Sequence, residues 1–295
     1  MKGVILAGGT GSRLFPLTKV TNKHLLPVGR EPMIYHPVAK LTEAGVEEIL
    51  IVTGVDHMGD VVNLLGSGRE FRCRFTYKVQ DEAGGIAQAL GLAENFAGDA
   101  PICVILGDNI FEDGIGPCVE RFNKQKKGAR VLLKKVPDPQ RYGVAEVSKD
   151  GRILGIEEKP KQPRSDLAVT GVYFYDAGVF DFIRKLKPSA RGELEITDVN
   201  NVYLRAGKLN VVTLSRGIAW LDTGTPDALL QAANFVAAVE QRQGLKIGAP
   251  EEVAYRMGYI DGAQLERLTA AFKNNPYGQY LRRVLEEDRS PGPTR

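Results

Sequence analysis

A glycine-rich segment that ends in arginine stands near the start of the chain, directly after a short apolar run. Its residues are Leu6, Ala7, Gly8, Gly9, Thr10, Gly11, Ser12 and Arg13. Glycines let backbone N–H groups come close to phosphate oxygens, and Arg13 adds a cation at the end of the segment. The pattern favours a loop that binds a triphosphate, with a purely structural glycine turn as the alternative.

The residues of this segment exclude two familiar phosphate-binding motifs. Leu14 stands at the third glycine position of a dinucleotide fingerprint, and Pro16 would interrupt the helix that should begin there. A P-loop has Lys and then Ser or Thr after its last glycine, whereas Gly11 is followed by Ser12 and Arg13. The segment therefore indicates a phosphate loop unlike those of dehydrogenases and P-loop NTPases.

Two aspartates stand next to predicted strand and helix ends. Asp108 follows the apolar run of residues 102–106, and Asp222 stands just before Thr225 and Pro226, which predict a helix start. Ligands of parallel α/β sheets bind at the carboxyl ends of strands, and hard carboxylates suit Mg²⁺ held between protein and phosphate. Either aspartate could equally serve in a turn, so both roles are open at this point.

A third group of charged residues lies in the middle of the chain. Lys159 follows Glu157 and Glu158, and Arg191 stands at the start of a second charged cluster. Solvated surface charge explains such groups more often than ligand binding does. Their significance depends on the residues that fold beside them.

Composition and charge exclude several classes of protein. The chain has 295 residues with 39 Lys and Arg against 36 Asp and Glu, and a net charge of +3 gives no strong field for nucleic acid or anionic lipid. The three cysteines and three histidines stand apart from one another, which predicts neither disulfides nor a zinc site. Because no apolar run suits a signal peptide or a membrane span, we expect a cytoplasmic protein without nucleic-acid or membrane partners.

The elements that must position these groups follow an α/β pattern. Short apolar runs alternate with helical periods over the first 140 residues, which is typical of a mostly parallel sheet. The strands predicted there are residues 4–6, 49–53, 75–79, 102–106 and 130–136, and the helices are residues 33–44, 59–65, 86–93 and 115–125. Residues 142–147, 153–158 and 168–175 predict antiparallel strands, residues 177–186 and 196–206 helices, and residues 211–214 a strand. A long helix over residues 226–243 and shorter ones over residues 251–257, 263–272 and 278–287 complete the prediction.

Taken in order, six motifs resemble those of the sugar-phosphate nucleotidyltransferases, and most closely the bacterial glucose-1-phosphate thymidylyltransferases. The motifs are residues 6–14, Lys23 with residues 25–28, and residues 106–111, 157–160, 192–198 and 220–225. The resemblance runs from about residue 1 to residue 285. We therefore expect a Rossmann-like, three-layer α/β fold with a mostly parallel central sheet, an antiparallel sugar-binding portion and a helical C-terminal tail.

The resemblance implies an enzyme that transfers a nucleotidyl group from dTTP to α-D-glucose 1-phosphate, giving dTDP-glucose and pyrophosphate with Mg²⁺ as cofactor. Such chemistry needs alignment and charge neutralisation but no protein nucleophile. The implied catalytic residues are Arg13, Lys23, Asp108, Lys159 and Asp222, with Asp108 and Asp222 as metal ligands. The implied nucleotide-binding residues are Leu6, Gly8, Gly9, Thr10, Gly11, Ser12, Arg13, Gln80, Gly85 and Asp108. The implied sugar-phosphate-binding residues are Tyr142, Gly143, Glu158, Lys159, Val169, Tyr173 and Arg191, and strand alternation leaves Glu157 open in place of Glu158.

One loop departs from the family pattern. Where the relatives have Gln-Pro-Ser-Pro-Asp-Gly, this chain reads Gln80, Asp81, Glu82, Ala83, Gly84 and Gly85. The loss of both prolines and of the aspartate leaves the choice of nucleotide and sugar open. UTP-dependent uridylyl transfer to glucose 1-phosphate or another sugar 1-phosphate is therefore an alternative. A non-catalytic nucleotide-sugar-binding regulatory subunit is an alternative of another class, and the presence of the metal and phosphate residues disfavours it.

The same resemblance predicts how the chain is divided and assembled. Residues 1–245 would form the nucleotidyltransferase domain, with about residues 1–140 for the nucleotide and about residues 141–225 for the sugar. Residues 246–295 would form a helical assembly segment. A homotetramer is implied.

Overall fold

The computed structural model describes residues 1–148, 150, 152–272 and 275–289. Its strands are β1 Lys2–Ala7, β2 Pro27–Val28, β3 Glu31–Pro32, β4 Glu48–Gly54, β5 Arg74–Gln80, β6 Ile102–Leu106, β7 Asn109–Phe111, β8 Ala129–Lys135, β9 Gly143–Val147, β10 Ile153–Glu158, β11 Leu167–Tyr175, β12 Leu209–Thr213 and β13 Trp220–Asp222. Its α-helices are α1 Tyr35–Glu43, α2 Met58–Leu65, α3 Ile86–Gly91, α4 Glu94–Ala97, α5 Gly116–Gln125, α6 Val179–Ile183, α7 Ile196–Arg205, α8 Pro226–Gln243, α9 Pro250–Arg256, α10 Gly262–Ala271 and α11 Pro276–Arg289. Short 3-10 helices are Ser12–Leu14, Leu17–Lys19, Lys23–Leu25, Arg69–Phe71 and Pro139–Arg141.

One mixed sheet organises the fold. Its strands follow the order β10-β9-β11-β6-β1-β4-β5, and β8 joins β11 to β12. The neighbours β6, β1, β4 and β5 run parallel, whereas β11 runs antiparallel to β6 and β8, and β10 runs antiparallel to β9. The predicted fold class, a mostly parallel central sheet with an antiparallel portion and helices at the C-terminus, is confirmed.

Helices cover both faces of the sheet, and β1 shows why. Successive side chains of a strand point to opposite faces. Val4 and Leu6 belong to one buried apolar cluster, which includes α3, α6 and α7, whereas Ile5 and Ala7 belong to the other, which includes α1 and α5. A strand that is buried on both faces reads as an unbroken apolar run, and such runs are what made the parallel strands predictable.

The C-terminal helices complete one of these layers. Ala254 of α9, Leu265 of α10 and Leu281 of α11 are buried in the same apolar cluster as Ile5 and Val38. The tail therefore packs on the α1 side of the sheet. In the part of the chain that the structure describes, no helix has both the length and the apolar character to cross a membrane.

A third, smaller apolar cluster ties the glycine-rich segment to α8. Leu14, Met33 and Ile110 pack there against Val236. The helix α8 begins as predicted, with the Thr225 side chain accepting from the backbone N–H of Ala228 at 3.3 Å and Pro226 in the first helical turn. Leu14 directly follows the glycine-rich segment, so this cluster fixes the end of that segment against α8.

The structure differs from the predicted elements where an element is very short. The helix α6 spans Val179–Ile183, inside the longer helix predicted for residues 177–186. The three-residue strands β7 and β13 and the two-residue strands β2 and β3 were not predicted. Strands of two or three residues contain too few side chains for an alternating pattern to be visible.

Candidate active site

A cavity of about 400 Å³ opens where β1 and β6 end, between the glycine-rich segment and the antiparallel strands. All the residues predicted to bind nucleotide, metal or sugar phosphate line it: Leu6, Gly8, Gly9, Thr10, Gly11, Ser12, Arg13, Lys23, Gln80, Gly85, Asp108, Tyr142, Gly143, Glu158, Lys159, Val169, Tyr173, Arg191 and Asp222. The carboxyl ends of parallel strands are the usual place for ligands in such sheets. The fold thus gathers these residues in one site.

The glycine-rich segment turns sharply at Gly11, whose φ is 64°. A single 3-10 turn, Ser12–Leu14, follows it, as expected from Pro16, which prevents a long helix. Leu14 is buried whereas Arg13 is exposed at the cavity. Gly224 follows β13 closely, and a Cβ built on it would lie 3.6 Å from the Arg13 guanidinium. The Arg13 side chain therefore reaches the end of β13.

A buried asparagine positions Lys23. The Asn22 side chain accepts from the backbone N–H of His24 at 2.9 Å and donates to the carbonyl of Ala7 at 3.4 Å. It thereby joins the 3-10 helix Lys23–Leu25 to the end of β1. The ammonium of Lys23 then lies 2.5 Å from a carboxylate oxygen of Asp108.

The two aspartates that the sequence left apart lie together in the structure. Asp222 pairs with Asn109 in the antiparallel ladder of β13 and β7. The backbone N–H of Thr223 donates to the carbonyl of Asp108 at 3.1 Å, and the Thr223 hydroxyl donates to the same carbonyl at 2.9 Å. This short ladder holds both carboxylates at the floor of the cavity.

Their electrostatic environments differ. Burial is the largest single effect and opposes the ionisation of Asp108, but Lys23, His24 and the hydrogen bond from Asn109 together outweigh it and hold the pKa of that carboxyl well below its usual range. Burial, together with the charge of Asp108, raises the pKa of Asp222. A guanidinium N–H of Arg141 donates to Asp222 at 2.9 Å and partly offsets that effect. Two carboxylates, each paired with a cationic side chain, thus line the same part of the cavity.

The donor set fits Mg²⁺ that is shared with a phosphate. Magnesium takes oxygen ligands, usually one or two carboxylates, and completes its shell with water and substrate phosphate. Asp108 and Asp222 supply two such carboxylates. Among the described residues, no group of three or more His, Cys, Asp or Glu side chains is placed to hold a metal ion. The chemistry of the pair therefore suits a metal that arrives with a nucleotide and not a closed structural site.

Two cations and three carboxylates line the end of the cavity away from the glycine-rich segment, and Arg191 is paired most closely with Glu195, at 2.8 Å. Glu158 accepts from the Thr197 hydroxyl at 2.5 Å and lies 3.6 Å from Arg191 and 3.8 Å from Lys159. Lys159 has a φ of 44°, and its backbone N–H donates to the carbonyl of Tyr142 at 3.0 Å. Glu157 is exposed and lies outside this cavity. The ambiguity that strand alternation left is resolved geometrically, since it is Glu158 that faces the site.

Gln80 and Gly85 form the wall at the end of β5. The side chain of Gln80 is buried, with 7% of the residue exposed. Gly85 has a φ of 101°, and a Cβ at this position would come within 2.5 Å of the Leu194 carbonyl oxygen. Only glycine fits where a backbone passes so closely at that φ.

Several residues that line the site are outside the predicted set, and three of them are polar side chains next to the aspartates. Asn109 donates to Asp108 at 3.0 Å and accepts from the Trp220 indole at 2.6 Å, so its side chain joins β7 to β13. Arg141 joins Asp222 to the segment before Tyr142. His24 lines the cavity, and burial lowers its pKa to about 3, which keeps the imidazole neutral. Asn109 lies inside the motif of residues 106–111, and Arg141 precedes Tyr142, which was assigned to the sugar phosphate, so these neighbours are the signal that could have found them.

Comparison with known proteins places this arrangement in a family. The family model for nucleotidyl transferases matches residues 2–239. The chain therefore belongs to the nucleotidyl transferase family, a family of enzymes, and the resemblance inferred from the six motifs is confirmed.

Individual relatives agree with that assignment. The chain is 48% identical over 281 residues to a glucose-1-phosphate thymidylyltransferase of Xanthomonas campestris, covering 95% of either chain. A Bacillus anthracis crystal structure, described as a glucose-1-phosphate thymidylyltransferase in complex with sucrose, is 57% identical with a TM-score of 0.79 over 85% of this chain and 98% of that one. A UDP-glucose pyrophosphorylase complexed with UDP-glucose is 26% identical with a TM-score of 0.68, over 82% of this chain and 98% of that one.

Proposed function

We propose that this chain transfers the thymidylyl group of dTTP to α-D-glucose 1-phosphate and releases pyrophosphate and dTDP-glucose. The observation that supports this reaction best is that one cavity is lined at one end by the glycine-rich segment and at the other by Lys159 and Arg191. A triphosphate and a sugar phosphate can then meet beside Asp108 and Asp222. High identity to named thymidylyltransferases supports the choice of substrates.

The residues around the cavity suit an in-line displacement at the α-phosphorus. A phosphate oxygen of the sugar attacks that phosphorus, its bond to the bridging oxygen of the β-phosphate breaks, and pyrophosphate leaves. In this assignment Arg13 and Lys23 stabilise the charge of the leaving pyrophosphate. Lys159 and Arg191 hold the attacking phosphate in line. No protein nucleophile is needed, because alignment and fixed positive charge lower the barrier.

Asp108 and Asp222 would hold Mg²⁺ in this site. When bound, the metal neutralises phosphate charge and orients the α-phosphate for attack. The ion pair of Lys23 with Asp108 keeps that carboxylate ionised, so it is ready to bind a cation at neutral pH. Arg141, which contacts Asp222, holds the second carboxylate facing the cavity.

The remaining wall residues suit a base and a neutral hexose. Gln80 and the backbone of Gly85 would read the edge of thymine. Glu158 would accept from sugar hydroxyls, and Tyr142 and Tyr173 would border the ring. The other residues of the glycine-rich segment are assigned to the nucleotide, and Gly143 and Val169 are assigned to the sugar phosphate.

The division of the chain into residues 1–245 and 246–295 stays a prediction, and so does the homotetramer.

Uridylyl transfer is the second candidate, because a UDP-glucose pyrophosphorylase complexed with UDP-glucose shares the fold. Its identity to this chain is 26%, against 48% and 57% for the thymidylyltransferases, which favours thymidylyl transfer. A non-catalytic regulatory subunit is disfavoured, since Arg13, Asp108, Lys159 and Asp222 are all present and all line the cavity.

A substrate matrix tests the proposal. Purified protein with Mg²⁺ is incubated with each of dTTP, UTP, dCTP and dATP against glucose 1-phosphate and other hexose 1-phosphates, and pyrophosphate release is measured. We expect the highest kcat/KM with dTTP and glucose 1-phosphate. A higher value with UTP would replace the nucleotide assignment, and no pyrophosphate with any pair would refute nucleotidyl transfer by this chain.

A further inference from the structure

We propose that Gln88, a residue behind the cavity wall, fixes the side-chain amide of Gln80 so that an oxygen faces the nucleobase. Gln88 is then a positioning residue that selects bases with an N3–H donor, thymine and uracil, and rejects cytosine. The inference rests on the proposed function, in which Gln80 reads the base.

The hydrogen bonds begin at a backbone group whose polarity is fixed. The N–H of Gly84 donates to the side-chain oxygen Oε1 of Gln88 at 2.9 Å. A backbone N–H can only donate, so the Gln88 atom that faces it must be the amide oxygen. The same oxygen lies 2.7 Å from Nε2 of Gln80, which must therefore be the donating NH₂ group.

A second fixed group gives the same orientation. The carbonyl oxygen of Gly85 lies 3.5 Å from Nε2 of Gln80. A carbonyl can only accept, so it too requires the NH₂ group of Gln80 on this side. Both amide hydrogens of Gln80 are thus directed to Gly85 and to Gln88 in the first turn of α3, and the Gln80 oxygen is left for the cavity.

The position of that oxygen agrees with this reasoning. Oε1 of Gln80 lies 2.4 Å from the place that a Cβ on Gly8 would occupy. Gly8 and Gln80 both line the cavity, whereas Gln88 is not among its lining residues. Turning the Gln80 amide over would set its oxygen against the Gln88 oxygen and the Gly85 carbonyl. These half-buried acceptors would each lose one hydrogen bond and face a third acceptor, while each keeps a backbone N–H donor, from Gly84 and Ala89 respectively.

The loop that departs from the family pattern makes room for this arrangement. A Cβ at position 84 would come within 2.4 Å of the Gln88 amide. Gly84, which replaces the family's aspartate, therefore admits the Gln88 side chain to its place above the backbone. The backbone of Gly84 is held in turn, since its carbonyl accepts from the N–H of Leu194 at 2.8 Å.

An oxygen at this place discriminates between pyrimidines. Thymine and uracil present an N3–H donor between two carbonyl oxygens, whereas cytosine presents an unprotonated N3. An acceptor that faces N3 accepts a hydrogen bond from thymine or uracil. With cytosine the same acceptor would face the unprotonated N3, which is also an acceptor. Sites that read hydrogen-bond polarity in this way reject the mismatched ligand strongly, because its polar groups are left unpaired.

Two substitutions of similar size separate this role from packing. Gln88→Met keeps the length but removes the acceptor, and Gln88→Glu keeps an oxygen that accepts from both Gly84 and Gln80. We measure kcat/KM for dTTP and dCTP with glucose 1-phosphate, dissociation constants for both nucleotides by calorimetry, and melting temperatures. The ratio of dTTP to dCTP should fall about tenfold or more in Gln88→Met and stay close to wild type in Gln88→Glu.

A third variant covers poor folding of Gln88→Met. Gly84→Ala places a methyl group against the Gln88 amide, and we expect the same loss of discrimination. An unchanged dTTP to dCTP ratio in the folded Met or Ala variant would overturn the proposal, and so would an equal loss in Gln88→Glu. A wild-type protein that is inactive with dTTP would instead refute the proposed function.

Discussion

Asp222 lies directly opposite Asn109 in the ladder of β13 and β7, and this pairing places it beside Asp108. The ladder is closed by Thr223, whose backbone and hydroxyl both donate to the carbonyl of Asp108. Two carboxylates from distant parts of the chain are thus brought together by backbone hydrogen bonds, while their side chains pair with Lys23 and Arg141 at the cavity. The arrangement makes the pair the place where loss of charge should affect catalysis most.

We expect Asp108→Asn and Asp222→Asn each to reduce kcat by about 10²-fold or more, because either change removes a metal ligand while keeping the side-chain size. Binding of Mn²⁺ in the presence of nucleotide, followed by electron paramagnetic resonance, should weaken in parallel. Steady-state pyrophosphate release gives the rate.

Asp113→Asn is the matched control, because Asp113 is an exposed aspartate close to β7 that does not line the cavity. Its activity and Mn²⁺ binding should equal those of the wild type. Normal Mn²⁺ affinity and turnover in both cavity variants would show that the metal is held elsewhere.

Lys159→Ala should raise the KM for glucose 1-phosphate more than the KM for dTTP. The Lys159 ammonium lies at the Glu158 and Arg191 end of the cavity, so its charge acts on the sugar phosphate. Initial rates with each substrate varied in turn give the two constants. Lys161→Ala, an exposed neighbour outside the cavity, should change neither. Equal rises in both constants for Lys159→Ala would contradict the assignment.

Gly85→Ala should weaken dTTP binding by about tenfold or more. The new methyl group would approach the Leu194 carbonyl oxygen to 2.5 Å at a φ of 101°, so the loop at the end of β5 must move. Calorimetric titration with dTTP measures the change. Gly98→Ala provides a control at a φ of 57° where a Cβ meets nothing within 4 Å, and it should bind dTTP normally. Unaltered affinity in Gly85→Ala would remove this loop from the nucleotide site.

The sequence predicted most of the fold because its long elements have strong patterns. The strand β6, Ile102–Leu106, and the helix α8, Pro226–Gln243, have the predicted bounds, since a fully apolar run and a Thr-Pro start are local signals. The strands β7 and β13 were missed, because three residues show no period and their pairing is decided by tertiary contacts.

Most residues of the site were also predictable, because they stand in local motifs. Their mutual contacts were not, because those depend on tertiary structure. The sequence indicates Asp108 and Asp222 as separate candidates, but their proximity depends on the ladder of β7 and β13, which no local pattern predicts. The contact of Arg141 with Asp222 joins positions far apart in the sequence, and no local pattern reports it. The role proposed for Gln88 depends on the backbone of Gly84 and the side chain of Gln80, and these three groups meet only in the folded chain.

Glu251, a buried residue of α9, should make stability depend on pH. Burial raises the pKa of its carboxyl to about 7, and the nearby Glu70 and Glu31 add to that effect although the Tyr277 hydroxyl donates to it. Below its ordinary pKa of 4.5 the carboxyl is protonated in both folded and unfolded chains. Between pH 4.5 and about pH 7 only the folded chain retains the proton. The free energy of unfolding should therefore fall as pH rises, by about 1.4 kcal/mol per pH unit at most.

Glu251→Gln should flatten this decline, because glutamine stays neutral and can still accept from Tyr277. Urea unfolding of both proteins at a series of pH values from 5 to 8 measures the difference, which should grow with pH to about 3 kcal/mol in favour of the variant. Glu286→Gln, at an exposed position of α11, should unfold with the pH dependence of the wild type. If the free energy of unfolding instead falls in parallel with pH in Glu251→Gln and the wild type, another group holds the proton. The packing of the C-terminal helices against α1 would then not depend on the charge of Glu251.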